Sequence, residues 1–228
     1  MATFVLLPGA GSDSWYWHLV VPYLEEAGHD VVAVDLPVTD DTAGFAEYAD
    51  VVVEAIAGQT GDREDVVLVA QSLAGFTAPL VAARVPVELM ILVAAMVPRP
   101  GESAGEWWDD TGHADARGPD ASDDPVEMFL HDVPDDVARE SEHHVHAQSG
   151  AVFEAPWPLD TWPDVPTRFL LCRDDRFFPA DFQRRVVRDR LGIEPDEIDG
   201  GHLPALSRPR ELAQRLLGYL AEVERAPQ

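Results

Sequence analysis

The fold of this chain is decided by residues 66–75, which run Val66-Val67-Leu68-Val69-Ala70-Gln71-Ser72-Leu73-Ala74-Gly75. The first half of this stretch is short, apolar and rich in valine, which is typical of a strand buried on both faces. Small residues then surround Ser72, and residues 73–84 have a helical pattern. The stretch therefore predicts a strand, a tight turn through a serine and a helix.

The same alternation of strand and helix patterns extends outward over most of the 228 residues. Apolar, β-branched runs predict strands at residues 3–7, 30–35, 66–70, 88–94, 167–172 and near 193–198. Helical patterns occupy residues 15–27, 44–57, 73–84, 180–190 and 209–223. Because helices separate the apolar strands, we predict an α/β fold with a mostly parallel sheet that helices cover on both faces.

One segment, from about residue 98 to 166, lacks this alternation. It holds nine of the 19 prolines, four of the six tryptophans and five of the eight histidines, and it shows no strand pattern. A stretch of this length is too long for a simple connecting loop. We therefore predict a single domain of residues 1–228 that carries a partly helical cap insertion at about residues 98–166.

The chain is strongly acidic. Asp and Glu number 42 against 16 basic residues, for a formal charge of −26, and every basic residue is Arg. Such charge repels phosphate backbones and anionic lipid heads, so we expect no nucleic acid and no membrane partner. The missing lysine excludes a Gly-x-x-x-x-Gly-Lys phosphate loop and Schiff-base chemistry. The acid excess fits either a solvated surface encoded by a high-GC genome or adaptation to high salt, and we favour the former.

The composition also bears on the class and location of the protein. A hydrophobic content of 46% with 25% charged residues is typical of a globular chain and argues against disorder. A single cysteine, Cys172, excludes an intramolecular disulfide. The first eight residues show no basic leader, and no stretch approaches the roughly 18 apolar residues of a membrane span. We expect a soluble, cytoplasmic protein.

Ser72 is the first candidate catalytic residue, since ligands of parallel sheets bind at the carboxyl ends of the strands. Nucleophile turns usually read Gly-x-Ser-x-Gly, because the serine is strained and larger neighbours would clash. Here Ala70 and Ala74 occupy the two glycine positions, and these small side chains still meet the steric requirement. The alternative is that Ser72 caps the following helix.

Two further candidates follow later strands. Asp174 and Asp175 come directly after the fifth predicted strand, where a carboxylate can orient an imidazole. The alternative is an exposed acidic loop whose charges pair with Arg173 and Arg176. His202 follows the last predicted strand on a loop that begins with two glycines, which give the backbone freedom to place the ring. The chain order is thus Ser, Asp, His.

The loop after the first predicted strand is a candidate for binding an oxyanion. It runs Leu7-Pro8-Gly9-Ala10-Gly11-Ser12, and its backbone N–H groups can point at a developing negative charge together with that of Leu73. A dinucleotide-binding fingerprint would need a third glycine where the chain has Ser14. A nucleotide cofactor is therefore not expected.

Stretches spread along the chain carry a family resemblance. They are Phe4-Val5-Leu6-Leu7-Pro8-Gly9-Ala10 with Trp15-Tyr16-Trp17, Glu25-Glu26-Ala27-Gly28-His29, Val34-Asp35-Leu36, Ser72-Leu73-Ala74-Gly75, Asp181-Phe182-Gln183 and Gly201-His202-Leu203-Pro204. With them the chain resembles the α/β-hydrolase superfamily over nearly its full length. Within that superfamily it is most similar to the small esterase and hydroxynitrile-lyase branch, which includes plant methyl-salicylate and methyl-jasmonate esterases.

The resemblance implies roles for the candidate residues. Ser72 would be the nucleophile, His202 the general base and Asp175 the acid that orients the histidine. Asp175 is implied rather than Asp174 because it precedes Pro179 by the four positions usual in the family.

The resemblance also implies that the amides of Ala10 and Leu73 form the oxyanion hole. Two residues depart from the family here. Pro8 stands where a histidine is usual and has no backbone N–H to donate. Gln71 stands where a histidine commonly precedes the nucleophile. These departures put the efficiency of the hole in question more than its existence.

The reaction type follows from two residues. A serine at position 72 disfavours the dehalogenase and epoxide-hydrolase branches, which use aspartate. Plant-type hydroxynitrile lyases place a lysine directly after the catalytic histidine, where this chain has Leu203. We therefore expect a cofactor-independent serine hydrolase of small, largely apolar carboxylic esters. The alternatives are a non-catalytic small-molecule-binding protein of the same fold or, less favoured, a lyase. The sequence is also compatible with a homodimer.

The predicted cap insertion offers weaker signals. Trp107, Trp108 and Trp157 are candidates for lining an apolar substrate pocket, with Trp162 as a further one, although single tryptophans are more often packing residues. A second signal is the group His143, His144 and His146. Adjacent histidines point different ways on a helix, and no second cysteine or His-Glu-x-x-His pattern accompanies them, so we expect no metal site.

Overall fold

In the computed structural model, residues 1–60, 65–117 and 121–225 are described, with the backbone alone at residues 59 and 60. Six parallel strands form one sheet in the order β2-β1-β3-β4-β5-β6. The strands are β1 Thr3–Leu7, β2 Asp30–Ala33, β3 Val66–Gln71, β4 Leu89–Val93, β5 Thr167–Cys172 and β6 Asp196–Ile198. The predicted α/β class with a mostly parallel sheet is confirmed.

The described ranges also contain ten α-helices and four short 3₁₀ turns. The helices are α1 Val21–Glu26, α2 Phe45–Thr60, α3 Ala78–Ala82, α4 Trp107–Thr111, α5 His113–Arg117, α6 Pro125–Phe129, α7 Asp135–Ser141, α8 Ala180–Leu191, α9 Pro204–Ser207 and α10 Pro209–Arg225. The 3₁₀ turns are Ser14–Trp17, Ser72–Gly75, Glu142–His144 and Ala151–Phe153.

Two predicted helices are each divided into a 3₁₀ turn and a shorter α-helix. The pattern at residues 15–27 becomes the turn Ser14–Trp17 followed by α1, and the pattern at 73–84 becomes the turn Ser72–Gly75 followed by α3. In both α-helices a proline, Pro22 or Pro79, lies in the first turn. Proline has no N–H and clashes with the preceding turn inside a helix, so each α-helix begins beside its proline.

The sheet is covered on both faces because successive strand residues point to opposite sides. One core contains alternate strand residues packed against α2, α3 and α8: Val5, Leu7, Val66, Leu68, Tyr48, Val52, Leu80, Val81 and Val186. The other contains the intervening strand residues packed against α1 and α10: Phe4, Leu6, Val67, Val69, Leu24, Leu212, Leu216 and Leu220. Val66–Gln71 is buried throughout, as a central parallel strand requires.

Residues 98–166, hereafter the β4–β5 segment, form short helices and turns. Residues 118–120 of the segment lie outside the described part. Elsewhere in it the structure has α4 to α7, two 3₁₀ turns and a single isolated bridge between Ser103 and Pro156. The segment contacts Gly11 after β1, Phe177 after β5 and Gly201 after β6. It therefore lies at the carboxyl ends of the strands. Among the described residues, no helix is long and apolar enough to cross a membrane.

Candidate active site

Ser72 lies in a strained turn at the carboxyl end of β3. Its φ angle is 52°, in the left-handed region that non-glycine residues rarely adopt. Strain of this kind costs about 1–3 kcal/mol and persists only where the surroundings enforce it. Met96 supplies one constraint by donating its N–H to the carbonyl of Ser72 at 2.9 Å. Ala94, at the end of β4, also has a positive φ of 42°.

His202 connects Ser72 to Asp175. Its Nε2 lies 3.0 Å from Ser72 Oγ, and its Nδ1 lies 2.7 Å from Asp175 Oδ2. All three residues are buried. With the Nδ1 proton donated to the carboxylate, Nε2 is free to accept the proton of the serine hydroxyl. The hydroxyl of Ser72 thus contacts an imidazole, and the structure does not favour the helix-cap interpretation.

The two carboxylates after β5 have different partners. Asp175 Oδ1 accepts the N–H groups of Phe177 and Phe178, each at 2.8 Å, which leaves Oδ2 directed at His202. Asp174 Oδ2 instead accepts the N–H of Gly200 at 3.2 Å. The two carboxylates are therefore fixed by the backbone in different directions, and the structure brings Asp175 rather than Asp174 to the imidazole.

The interpretation of this turn as an arginine-paired acidic loop does not hold. Arg173 pairs with Glu197 and Asp199, and Arg176 donates to the carbonyl of Glu127. Both arginines are thus bound away from the two carboxylates.

Aromatic rings enclose the imidazole of His202. The ring centroids of Phe129, Phe177 and Phe178 lie 5.5, 5.2 and 5.0 Å from that of His202. His113 supports this wall from α5, since its Nε2 lies 2.7 Å from the carbonyl of Phe177. Burial lowers the pKa of His113, more than its hydrogen bond to Phe177 raises it, so the ring is neutral at pH 7 and donates from Nε2. His113 was not predicted from the sequence, since its partner lies 64 residues away.

The loop after β1 presents free backbone donors beside Ser72. Within the described residues, the N–H groups of Ala10 and Leu73 have no hydrogen-bond partner, and both residues line the same cavity as Ser72. Such donors are suited to bind an oxygen that acquires negative charge. Four of the predicted groups thus line one cavity: the amides of Ala10 and Leu73 and the side chains of Ser72 and His202.

Two glutamines hold the loops of this site. Gln148 accepts the N–H of Gly11 at 3.0 Å, and its own amide donates to the hydroxyl of Tyr48 at 3.0 Å. Gln71 donates from Nε2 to the carbonyl of His202 at 3.0 Å, and its Oε1 would lie 2.2 Å from a Cβ placed on Gly9. Gln148 is 137 residues from Gly11, and no local pattern marks it.

Ser72 and His202 open into an apolar cavity of about 550 Å³. Its walls are mainly aromatic and aliphatic side chains, namely Trp15, Met96, Trp108, Val126, Phe129, Leu130, Val145, Phe153, Phe177, Leu203 and Leu206. A site of this size and character suits a small apolar molecule.

The tryptophan predictions need a correction. Trp108 lines this cavity, whereas Trp107 and Trp157 do not. Each of the latter is at most 2% exposed and donates its indole N–H to a backbone carbonyl, Trp107 to Val97 at 3.1 Å and Trp157 to Phe76 at 3.0 Å. A buried indole satisfies its N–H in this way, so these two rings anchor the β4–β5 segment to the core. Trp162 packs near Trp157, with ring centroids 5.9 Å apart.

Two histidines of the predicted insertion bind one carboxylate. His144 Nδ1 and His146 Nε2 lie 3.0 and 2.9 Å from Asp13 Oδ2. Burial raises the pKa of Asp13, but the hydrogen bonds from His146, from His144 and from the N–H of Trp15 together hold it below its usual value. His143 is exposed. Across the described part of the chain, no group of three or more His, Cys, Asp or Glu side chains has the geometry to hold a metal ion.

The geometry agrees with comparisons to known proteins. The model of the Alpha/beta hydrolase family matches residues 4–215, so the chain belongs to the α/β-hydrolase family. Methylesterase 7 of Arabidopsis thaliana is 28% identical, and polyneuridine aldehyde esterase of Rauvolfia serpentina is 25% identical; each alignment covers 94% of both chains. The solved structure of polyneuridine aldehyde esterase has a TM-score of 0.81 at 22% identity, over 96% of this chain and 99% of the other. The family resemblance expected from the sequence is confirmed.

Proposed function

We propose that this protein is a serine hydrolase that cleaves small, largely apolar carboxylic esters without a cofactor. The observation that carries the proposal is the chain of contacts from Ser72 Oγ through His202 to Asp175, at 3.0 and 2.7 Å. The strained φ of Ser72 supports it, because strain at the carboxyl end of a central strand is typical of a nucleophile turn.

The proposed reaction passes through an acyl-enzyme. His202 Nε2 accepts the proton of Ser72 as Oγ attacks the ester carbonyl, and Asp175 stabilises the imidazolium that forms. The amides of Ala10 and Leu73 bind the carbonyl oxygen as it becomes negative, and each such donor is worth about 10²–10³ in rate. His202 then protonates the leaving alcohol, and water activated by the same ring hydrolyses the acyl-enzyme.

The substrate class is inferred from the cavity and from the relatives. An apolar wall around Ser72 favours apolar acyl or alcohol groups. The names of the two relatives above describe esterases. The residue after His202 is Leu203, which lines the cavity with an apolar side chain and offers no charge for a nitrile or cyanide. Ester hydrolysis is therefore preferred over a lyase reaction.

The test of this proposal is hydrolysis of p-nitrophenyl acetate and butyrate. Ser72→Ala should lower kcat by about 10³-fold or more, because the remaining site can bind but cannot form an acyl-enzyme. Ser12 lines the same cavity without contacting His202, so Ser12→Ala is the matched control and should keep its activity. Turnover that persists in Ser72→Ala would remove the proposed nucleophile.

A fluorophosphonate probe tests the alternative of a non-catalytic binding protein. The probe should label the wild type at Ser72, which peptide mass spectrometry will locate, and should fail to label Ser72→Ala. A folded wild-type protein that is never labelled would favour ligand binding over catalysis.

The proposal extends to the setting of the site. The β4–β5 segment acts as a cap, since Trp108, Phe129 and Phe153 from it form part of the cavity wall. The partner is a small-molecule ester, and the net charge of −26 supports the expectation of no nucleic acid and no membrane partner. We place the protein in the cytoplasm. Its single cysteine is free and buried, so it has no intramolecular disulfide of the kind common in secreted proteins. Sedimentation will test whether it is a homodimer.

A further inference from the structure

Three consecutive residues of the loop after β6 are each bound by a different carboxylate. Asp174 accepts the N–H of Gly200 at 3.2 Å, Asp132 accepts the N–H of Gly201 at 2.9 Å, and Asp175 binds Nδ1 of His202 at 2.7 Å. The two carboxylates at 174 and 175 come from the neighbouring turn after β5. Asp132 comes from the β4–β5 segment, between α6 and α7.

Asp132 and the residue before it pack directly against the glycine backbone. A Cβ placed on Gly201 would lie 2.7 Å from Asp132 Oδ1 and 2.7 Å from His131 Nε2. A Cβ on Gly200 would lie 2.8 Å from Asp132 Oδ2, and Gly200 has a φ of 110° that other residues rarely adopt. The carboxylate of Asp132 can therefore approach the backbone only because residues 200 and 201 are glycines. A side chain at either position would displace it.

Asp132 is only partly compensated for its burial. The side chain is 13% exposed, and its Oδ2 forms a long ion pair with Nη2 of Arg208 at 3.9 Å. Among the described residues, the buried Oδ1 of Asp132 has no hydrogen-bond partner, and neither has the buried Nε2 of His131. A buried polar atom without a partner destabilises a fold. The unpaired Oδ1 adds nothing to stability, whereas the bond of Oδ2 to Gly201 lies directly before His202.

We propose that Asp132 is a positioning residue for His202. By holding the N–H of Gly201, it fixes the loop so that Nε2 of the imidazole stays within 3.0 Å of Ser72 Oγ. Apart from Asp132, the loop is bound by Asp174 at Gly200 and by Gln71 at His202, and Phe129 packs against the imidazole. Asp132 thereby couples the β4–β5 segment, which forms much of the cavity wall, to the geometry of proton transfer. The inference rests on the proposed function of Ser72 and His202.

The kinetic test compares three variants in p-nitrophenyl butyrate hydrolysis. Asp132→Ala removes the acceptor, so kcat should fall about 10- to 100-fold while KM stays within about twofold, because no cavity side chain has changed. Asp132→Asn keeps an oxygen that accepts the N–H of Gly201, so its kcat should stay within about threefold of the wild type. Asp136→Ala removes an exposed carboxylate four residues away and should have no effect.

A second readout does not depend on activity. Hydrogen exchange of the Gly201 amide, followed by NMR, should be at least about tenfold faster in Asp132→Ala than in the wild type and unchanged in Asp132→Asn. The resonance of the His202 Nδ1 proton should broaden in the alanine variant only. Thermal melting of each variant controls for folding, and if Asp132→Ala does not fold, protection of Gly201 in Asp132→Asn decides the matter.

The outcomes separate the two proposals. Wild-type exchange at Gly201 in the alanine variant, or an asparagine variant as impaired as the alanine one, would overturn the positioning role. A wild type that hydrolyses no ester, but whose Gly201 amide loses protection in Asp132→Ala, would count against the proposed function and in favour of the anchor.

Discussion

Gly75 shows how closely the turn that carries Ser72 is packed. A Cβ at this position would lie 1.9 Å from the carbonyl oxygen of Met96 and 3.2 Å from Cβ of Ala95. Met96 also donates its N–H to Ser72, so the same residue limits the turn from two directions. The backbone of Met96, in the loop after β4, cannot yield as a flexible side chain does, so only glycine fits at position 75.

We predict that Gly75→Ala destabilises the protein by about 3 kcal/mol, since a methyl group overlaps the backbone at the end of β4. Gly218→Ala is the matched control. Gly218 lies exposed within α10, and a Cβ placed on it would have nothing within 4 Å, so alanine should instead stabilise the helix by about 0.5–1 kcal/mol. Urea denaturation of both variants measures these changes. Equal stability of the two variants would show that the turn tolerates a side chain.

Pro8 and Gln71 show how the site is held despite the departures from the family pattern. Pro8 has no N–H, yet the loop it begins is bound at Gly11 by Gln148 and is packed against Gln71 at Gly9. Gln71 also donates to the carbonyl of His202. Amide side chains can accept and donate at once, so the two glutamines connect the loop after β1, the loop that carries His202 and the β4–β5 segment.

Helix α8 ties the start of the β4–β5 segment to the domain through a buried ion pair. Arg190 donates to both carboxylate oxygens of Glu102 and to the carbonyl of Val97, and the two side chains are only 2% and 4% exposed. Arg188 of the same helix forms an exposed pair with Glu194, which follows the helix, at 54% and 72% exposure. The two arginines therefore allow a buried and an exposed ion pair of the same helix to be compared.

We predict that Arg190→Ala lowers the free energy of unfolding by about 3–5 kcal/mol, because it leaves the charge of Glu102 buried without its partner. Arg188→Ala should produce no measurable change, since water solvates both members of the exposed pair. Replacing Arg190 and Glu102 together with methionine should recover part of the loss. Chemical denaturation monitored by tryptophan fluorescence reports all of these changes. An Arg190→Ala variant as stable as Arg188→Ala would contradict the role of the buried pair.

At the scale of the whole molecule, the dominant physical feature is the excess of negative charge. Several surface arginines are paired with acids, for example Arg84 with Asp50 and Arg168 with Glu222. The 42 acids far outnumber the 16 arginines, so a large excess of negative charge remains, a net −26. A compact state with such an imbalance is destabilised by self-repulsion.

We predict that the melting temperature rises by a few degrees between about 0.01 and 0.15 M NaCl and changes little above that. The screening length falls from about 30 Å to about 8 Å over this range, which removes most of the long-range repulsion. Differential scanning calorimetry at pH 7 measures the effect, and KCl should give the same curve if screening is the cause. A rise that continues to molar salt would instead support adaptation to high salt.

Local sequence determined the fold class and predicted the tight turn that carries Ser72. Hydrophobic period and length located all six strands, and strands in a parallel sheet end at one edge. That rule brought the residues following β3, β5 and β6 into one neighbourhood before any distance was known. The sequence also contains the prolines of α1 and α3. Where each of these helices begins, however, depends on the 3₁₀ turn that precedes it.

Only the tertiary structure decided what surrounds Ser72. Asp132 and Gly201 are 69 residues apart, His113 and Phe177 64, and Gln148 and Gly11 137. No local period links such partners, because each contact joins two loops whose paths are set by the packing of the β4–β5 segment. The same packing buries Trp107 and Trp157 and leaves Trp108 at the cavity. Periodicity specifies which face of an element is buried, whereas the side chain that reaches a given atom is specified by the folded loops.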